Sequence, residues 1–167
     1  DFAKILIKQA RLLYIEDNDF RVDLDKLVYA FDSTTIDLCL SLYPWAKFHH
    51  QKGAVKMHTL LDLRGSIPVF IDITEGSVHD VNSLDKLPIE PGSYYMMDKG
   101  YIDFHRLYTL FHQARAFFVT RAKENLRCKV VSEAEVDKEA GLISDKIVRL
   151  TTYKSAKSYP EEIRLVV

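Results

Sequence analysis

Apolar positions at the start of the chain recur at helical spacing. Phe2, Ile5, Leu6, Gln9, Leu12 and Leu13 fall on one side and Lys4, Lys8 and Arg11 on the other, which predicts an amphipathic helix over residues 2–15 ended by the acidic loop Glu16-Asp17-Asn18-Asp19. Leu27-Val28-Tyr29-Ala30-Phe31 is apolar throughout between polar flanks, as in a strand covered on both faces inside a layered α/β domain, and it delivers Asp32 at its C-terminal end. Val55, Met57, Thr59, Leu61 and Leu63 then alternate with polar residues, break at Arg64-Gly65-Ser66, and find a hairpin partner in Val69-Phe70-Ile71 and Ile73. Pro68 suits the first residue of a strand or an edge. A short helix is expected over roughly residues 78–87, followed by a loop at Pro88, Pro91 and Gly92.

Tyr94-Tyr95-Met96-Met97 predicts a second core strand, ending in Asp98 with Gly100 in the following turn. Phe104, Leu107, Tyr108 and Phe111 predict a helix over about residues 102–113, and Ala116 to Thr120 a third core strand. The order is strand, hairpin, helix, strand, helix, strand. From Arg121 onward the pattern shifts to short β-like runs, Leu126–Val131, Lys146–Tyr153 and Ile163–Val167, between polar segments, and no long helical period returns. The expected organisation is an α/β core over residues 1–120 and a β-rich subdomain over residues 121–167.

At 167 residues the chain holds one ordinary domain and a small appendage. Its 47% hydrophobic and 28% charged residues are those of a globular protein with a substantial core, which excludes disorder, collagen and coiled coil. The net charge of -1 excludes a uniformly basic nucleic-acid binder. That total hides a strong asymmetry: residues 16–37 carry a net charge of -5, whereas residues 43–66 and 121–130 each carry +3. Cys39 and Cys128 form neither a CxxC pair nor, with the histidines, a zinc pattern, and they suit a reducing cytoplasm. No apolar run is long enough to span a membrane and no secretory pattern opens the chain. Because it begins at Asp1 and stops within the alternation Leu165-Val166-Val167, the sequence reads as a piece of a longer protein.

The candidate chemistry lies in Asp32 and Asp98. Each follows an apolar strand and precedes small or turn-forming residues, Ser33-Thr34-Thr35 in one case and Lys99-Gly100-Tyr101 in the other. Ligands of open α/β sheets bind beyond the carboxyl ends of the strands, and two carboxylates brought together there repel until a hard divalent cation relieves them. That is the minimum for metal-assisted phosphoryl transfer. Taken singly, either Asp reads more readily as a helix cap or turn former, and it is the pairing that favours the chemistry. The basic segments would supply phosphate contacts, with Tyr43, Trp45 and Phe48 placed to stack on bases; a solvated strand face beside core aromatics is the plainer reading. There is no GxGxxG, GxxxxGK[ST] or GxSxG, so dinucleotide, P-loop and hydrolase readings have no anchor.

Several blocks, in order, resemble a known family. Tyr29-Ala30-Phe31-Asp32-Ser33-Thr34-Thr35-Ile36-Asp37-Leu38, Pro44-Trp45-Ala46-Lys47-Phe48, Lys52-Gly53-Ala54-Val55-Lys56-Met57-His58, Leu61-Asp62-Leu63-Arg64-Gly65, Val78-His79-Asp80-Val81 and Met97-Asp98-Lys99-Gly100-Tyr101 are similar to the catalytic core of bacterial DDE transposases, and within them to the insertion-sequence-four family. The resemblance covers about Tyr29 to Lys123. It implies a ribonuclease H-like fold, a mixed sheet with flanking helices, with Asp32 and Asp98 as the first two catalytic acids and metal ligands. It also implies a β-rich insertion, corresponding to residues 121–167, before a helix that bears the third acid. The implied cofactor is Mg²⁺ or Mn²⁺, two ions in the intact enzyme. The implied partner is double-stranded DNA, both element ends and target, with a homo-oligomer assembled on it in the bacterial cytoplasm and no membrane contact.

Lys47, Lys52, Lys56, His58, Lys99, Arg121 and Lys123 are the expected DNA-backbone contacts. The chain departs from the family at the third acid. Its signature is Tyr-x2-Arg-x3-Glu-x6-Lys, and no Tyr here has Arg three residues later. Glu124, Glu133, Glu135, Glu139, Glu161 and Glu162 all lie outside that pattern, so the catalytic Glu is expected beyond Val167 and the fragment alone is expected to be inactive. A nuclease of the same fold without strand transfer, and a non-catalytic nucleic-acid-binding remnant, are the competing readings.

Overall fold

The computed structural model describes residues 2–14, 26–39, 41–43, 45, 47–49 and 52–167. They fall into two compact units, Asp1–Arg121 and Ala122–Val167. The acidic loop expected at residues 16–19 lies outside the described residues.

In the first unit, strands β1 (Val28–Leu38), β2 (Lys47–His49), β3 (Lys52–Asp62), β4 (Ile67–Glu75), β5 (Tyr94–Met97) and β6 (Phe117–Thr120) form one sheet. Its order is β2-β3-β1-β5-β6, with β4 also paired to β3. The β1, β3 and β4 ladders are antiparallel, whereas β1, β5 and β6 run parallel. This is an α/β unit with a mixed sheet, compatible with a ribonuclease H-like DDE transposase fold. Strand formation follows composition: β1 and β3 draw on Val28, Tyr29, Phe31, Thr34, Thr35, Ile36, Val55 and Thr59, β-branched and aromatic side chains that suit a half-buried pleat.

The turn between β3 and β4 falls at the expected Arg64-Gly65-Ser66. Asp62 Oδ1 accepts from the Arg64 amide at 3.1 Å, and Ser66, rather than Gly65, takes the left-handed conformation with φ 51°. Pro68 sits near the start of β4 beside a bulge in the β3 ladder at Leu60/Leu61, where its missing N–H costs no central hydrogen bond.

Alternation separates the two faces. Tyr29, Phe31, Leu60, His58, Tyr95 and Met97 are buried on one face. Tyr29 lies 5.2 Å from Tyr95, Phe31 4.8 Å from Tyr101, and Phe111 5.4 Å from Tyr95 and 5.5 Å from Phe118, ring centre to ring centre. The cover consists of the 3-10 helix Asp80–Lys86, where a longer helix was expected, and the helical segment that begins with α2 (Phe104–Leu107). That segment is not regular: after one α turn capped by Asp103 it widens into a π turn over Tyr108–His112, and Arg115, at φ 55°, stops it. Arg106 fastens α2 to the 3-10 helix through Asp85 (2.9 Å) and Asn82 (3.2 Å).

The opposite face is less covered. Val28 and Val55 are buried there, but Ile36, Ile71, Ile73, Met96, Phe117 and Val119 are exposed on the same side of four strands. The strand expected at residues 27–31 is itself buried on both faces, with Val28 on this side and Tyr29 and Phe31 on the other, and it is the continuation of β1 at Ile36 and the neighbouring strands that leave this face open. Helix α1 (Phe2–Tyr14) leaves Phe2, Ile5, Leu6, Leu12 and Leu13 exposed. It is held by Arg11, which donates to Tyr29 Oη at 2.8 Å and to Glu90 at 3.2 Å.

The second unit is a three-stranded antiparallel sheet, β7 (Cys128–Ala134), β8 (Asp145–Leu150) and β9 (Ile163–Val166). A six-residue helix α3 (Tyr153–Ser158), capped by Thr152, joins β8 to β9; its length is below what helical periodicity can register. Val148, Leu150 and Tyr159 form its small core, and Arg164 clasps Asp145 across the sheet.

Leu60 is fully buried on β3 between β1 and β4. Leu60→Ala is expected to cost about 2–5 kcal/mol by cavity formation, read as a lower urea midpoint at unchanged slope for the first unit; a loss below 1 kcal/mol would show that this position is not core.

Candidate active site

The strands β1 and β5 place the two carboxylates. Their parallel register sets Val28 opposite Tyr94 and Phe31 opposite Met97, so Asp32 and Asp98 are the next residues along two adjacent strands, at one rim and toward one face. Neighbouring strands are about 4.8 Å apart. Asp32 does not end its strand as expected. β3 continues to pair with β1 as far as Leu38, whereas β5 leaves it after Phe31, and the β5 side of β1 opens at Asp32. The carboxyl end of β5, beside that divergence, is the position at which ligand sites concentrate in open α/β sheets.

Both carboxylates are held locally. Asp32 Oδ1 accepts from the Ser33 amide at 2.8 Å. Asp98 caps the 3-10 turn Lys99–Tyr101, accepting from the Gly100 amide at 3.4 Å, and it also receives Arg121 Nη2. The Arg121 hydrogen bond holds the Asp98 carboxyl below its ordinary pKa. Arg121 is the residue after β6 and is 77% exposed, so this ion pair is a solvent-screened one.

Beneath the rim, on the buried face, lies a polar cluster that sequence reading missed. His58 is fully buried. Its Nδ1 lies 3.3 Å from Ser83 Oγ and 3.4 Å from Tyr101 Oη, and its Nε2 3.1 Å from Thr74 Oγ1. Burial pushes the imidazole pKa down and that of the Tyr101 phenol up to about 12. Asp80 receives Lys56 at 3.1 Å and the Ser33 hydroxyl at 3.4 Å. The sequence signal was the Val78-His79-Asp80-Val81 block, which carried no assigned role.

The expected backbone contacts separate accordingly. His58 is corrected: an imidazole with no exposed surface, enclosed by Ser83, Tyr101 and Thr74, does not reach a phosphate. Lys56 turns inward to Asp80 and the Val78 carbonyl (2.9 Å). Lys99, Arg121 and Lys123 are exposed, the last in the second unit. Lys47 and Lys52 lie on β2 and β3, with their side chains outside what is described. Tyr43 and Trp45 are exposed and meet edge to face at 6.3 Å.

The two carboxylates, each with one oxygen oriented by a backbone N–H, are hard oxygen donors. That suits Mg²⁺ or Mn²⁺, for which one or two carboxylates plus water are typical. Among the described residues no cluster of three or more His, Cys, Asp or Glu is placed to hold a metal.

The family model of the transposase DDE domain matches residues 23–163, which include both aspartates. The chain belongs to the transposase DDE domain family. This DDE domain is 34% identical over 145 residues to a Sinorhizobium fredii protein named "Putative transposase y4zB", covering 84% of the chain and 40% of that protein. It is 30% identical over 95 residues to the "Probable transposase for insertion sequence element IS5377" of Geobacillus stearothermophilus, covering 57% of the chain and 25% of that protein. The chain thus spans well under half the length of either relative. Among the described residues no helix is long and apolar enough to cross a membrane.

Arg121→Gln is expected to return the Asp98 pKa upward toward the ordinary value of about 3.9. Because the native value is the lower one, the stabilisation from this contact is complete above the ordinary value and disappears as pH falls through the native one. Carboxyl-carbon NMR titration checks this; an unchanged Asp98 curve would show that Arg121 does not hold it.

Proposed function

We propose that the chain is the central part of an insertion-sequence transposase of the insertion-sequence-four family, acting by metal-dependent phosphoryl transfer on double-stranded DNA. The observation that carries this reading is the β1–β5 register, which makes Asp32 and Asp98 neighbours at the rim where β1 loses its β5 partner. In this reading both are catalytic metal ligands for Mg²⁺ or Mn²⁺. When bound, two such ions would supply an activated water or DNA 3'-hydroxyl for in-line attack on phosphorus and stabilise the departing oxygen.

The chain's own residues do the positioning. The Ser33 and Gly100 amides orient one oxygen of each carboxylate. Arg121 neutralises Asp98 in the free protein and is close enough to turn to a phosphate once that carboxylate is engaged elsewhere. Lys99 and Lys123, exposed, and Lys47 and Lys52 on β2 and β3 supply further backbone contacts.

The third carboxylate in this reading is a Glu on a helix outside residues 1–167, and residues 121–167 are the β-rich insertion that precedes it. The exposed apolar side chains on the face that carries Asp32 and Asp98, Met96 and Val119 on β5 and β6 and Ile73 on β4, support a covering element on that face. With two of three carboxylates, the 167-residue chain binds metal weakly and does not cleave DNA. Homo-oligomers on paired element ends and a cytoplasmic location belong to the same reading.

Asp32→Asn or Asp98→Asn in this chain is expected to weaken Mn²⁺ binding about tenfold or more in calorimetric titration, since each removes one of two anionic donors. In the complete transposase the same changes abolish metal-dependent cleavage and leave DNA binding in place. Heats identical to wild type, or cleavage retained in either variant, would remove that residue from the metal site.

A further inference from the structure

Five elements of the first unit meet at one imidazole. His58 comes from β3, Ser33, opposite it in the register, from β1, Thr74 from β4, Ser83 from the 3-10 helix, and Tyr101 from the turn that Asp98 caps. The ring of His58 also stacks on Phe31, the residue before Asp32, at 6.3 Å between centres. An apolar side chain would fill this volume equally well, yet three hydroxyls converge on the ring.

The donors can be ordered. Ser83 Oγ donates to the Asp80 carbonyl at 2.5 Å, which spends its hydrogen and leaves its lone pairs facing Nδ1 of His58. Nδ1 therefore carries the proton, directed between Ser83 Oγ and Tyr101 Oη, and Nε2 accepts from Thr74 Oγ1. Tyr101 itself packs on Phe31 at 4.8 Å. The turn after β5 is thus tied to β1 and β3 through Tyr101, three residues from Asp98 and one strand away from Asp32.

We infer that His58 is a positioning residue for the metal-binding pair: through Tyr101 and Ser83 it locks the Asp98 turn against β1 and so sets the separation of the Asp98 and Asp32 carboxylates. The inference rests on the reading of those two aspartates as metal ligands. β5 contributes only four paired residues before the turn, so the strand ladder alone leaves that turn weakly held. Loss of the imidazole leaves the Tyr101 hydroxyl buried without its His58 contact, while Ser83 keeps only the Asp80 carbonyl, and the local cost falls on the turn rather than on the sheet.

Three variants of this chain separate the roles of the ring. His58→Phe keeps a ring and removes both nitrogens; His58→Asn retains an N–H near the Nδ1 position; Tyr101→Phe removes only the hydroxyl, and serves if His58→Phe does not fold. Amide hydrogen exchange at Gly100 and Tyr101 is expected to accelerate about tenfold in His58→Phe and in Tyr101→Phe, with β1 and β3 amides unchanged and His58→Asn near wild type. Mn²⁺ affinity, read by calorimetry, falls about five- to tenfold in the same two variants and recovers in His58→Asn. Unchanged turn exchange in a folded His58→Phe, or faster exchange with unaltered Mn²⁺ affinity, would overturn the inference. If neither wild type nor Asp98→Asn binds Mn²⁺, the metal reading of the rim fails, and the inference about His58 fails with it even if the turn loosens.

Discussion

The organisation of the rim depends on one register. Two parallel strands aligned at Phe31 and Met97 place the next residues side by side, and after both strands that residue is an aspartate. Separation in sequence by 66 positions becomes separation by one strand spacing. The register is itself a consequence of packing: Tyr29 with Tyr95 and Phe31 with Tyr101 fill the buried face, and a slip by one residue would turn every one of these rings to the other side.

Charge is distributed with the same economy. Of the two neighbouring acids, Asp98 is neutralised by Arg121. Asp80 is kept apart from the pair on the opposite face, where Lys56 neutralises it and Ser33 shares it. The cations of the basic segment therefore divide between those that complete the fold and those left at the surface.

Much of this was legible in the residues. Tyr94-Tyr95-Met96-Met97 ending in Asp98 required only an apolar run and a turn, and the hairpin of β3 and β4 only alternation and Pro68. Asp32 was placed beside a strand end but lies inside β1, because an antiparallel partner prolongs a strand into polar residues that composition reads as loop. His58 is expected as a DNA-backbone contact because it alternates with apolar residues between Lys56 and Asp62; nothing local announces that Ser83 and Tyr101, 25 and 43 residues away, enclose it. The π turn at Tyr108–His112 was equally hidden, since its side-chain period still reads as α.

If Asp32 and Asp98 hold a divalent cation as proposed, the bare apolar side chains on their face bind two equilibria together. Any element that settles on Met96, Val119 and Ile73 also withdraws water from Asp32 and Asp98, lowers the local dielectric, and sharpens the repulsion that a divalent cation relieves. Docking of that element and loading of the cation are then thermodynamically linked, each drawing the other forward, and the naked pair is least tolerable when the site is most nearly assembled.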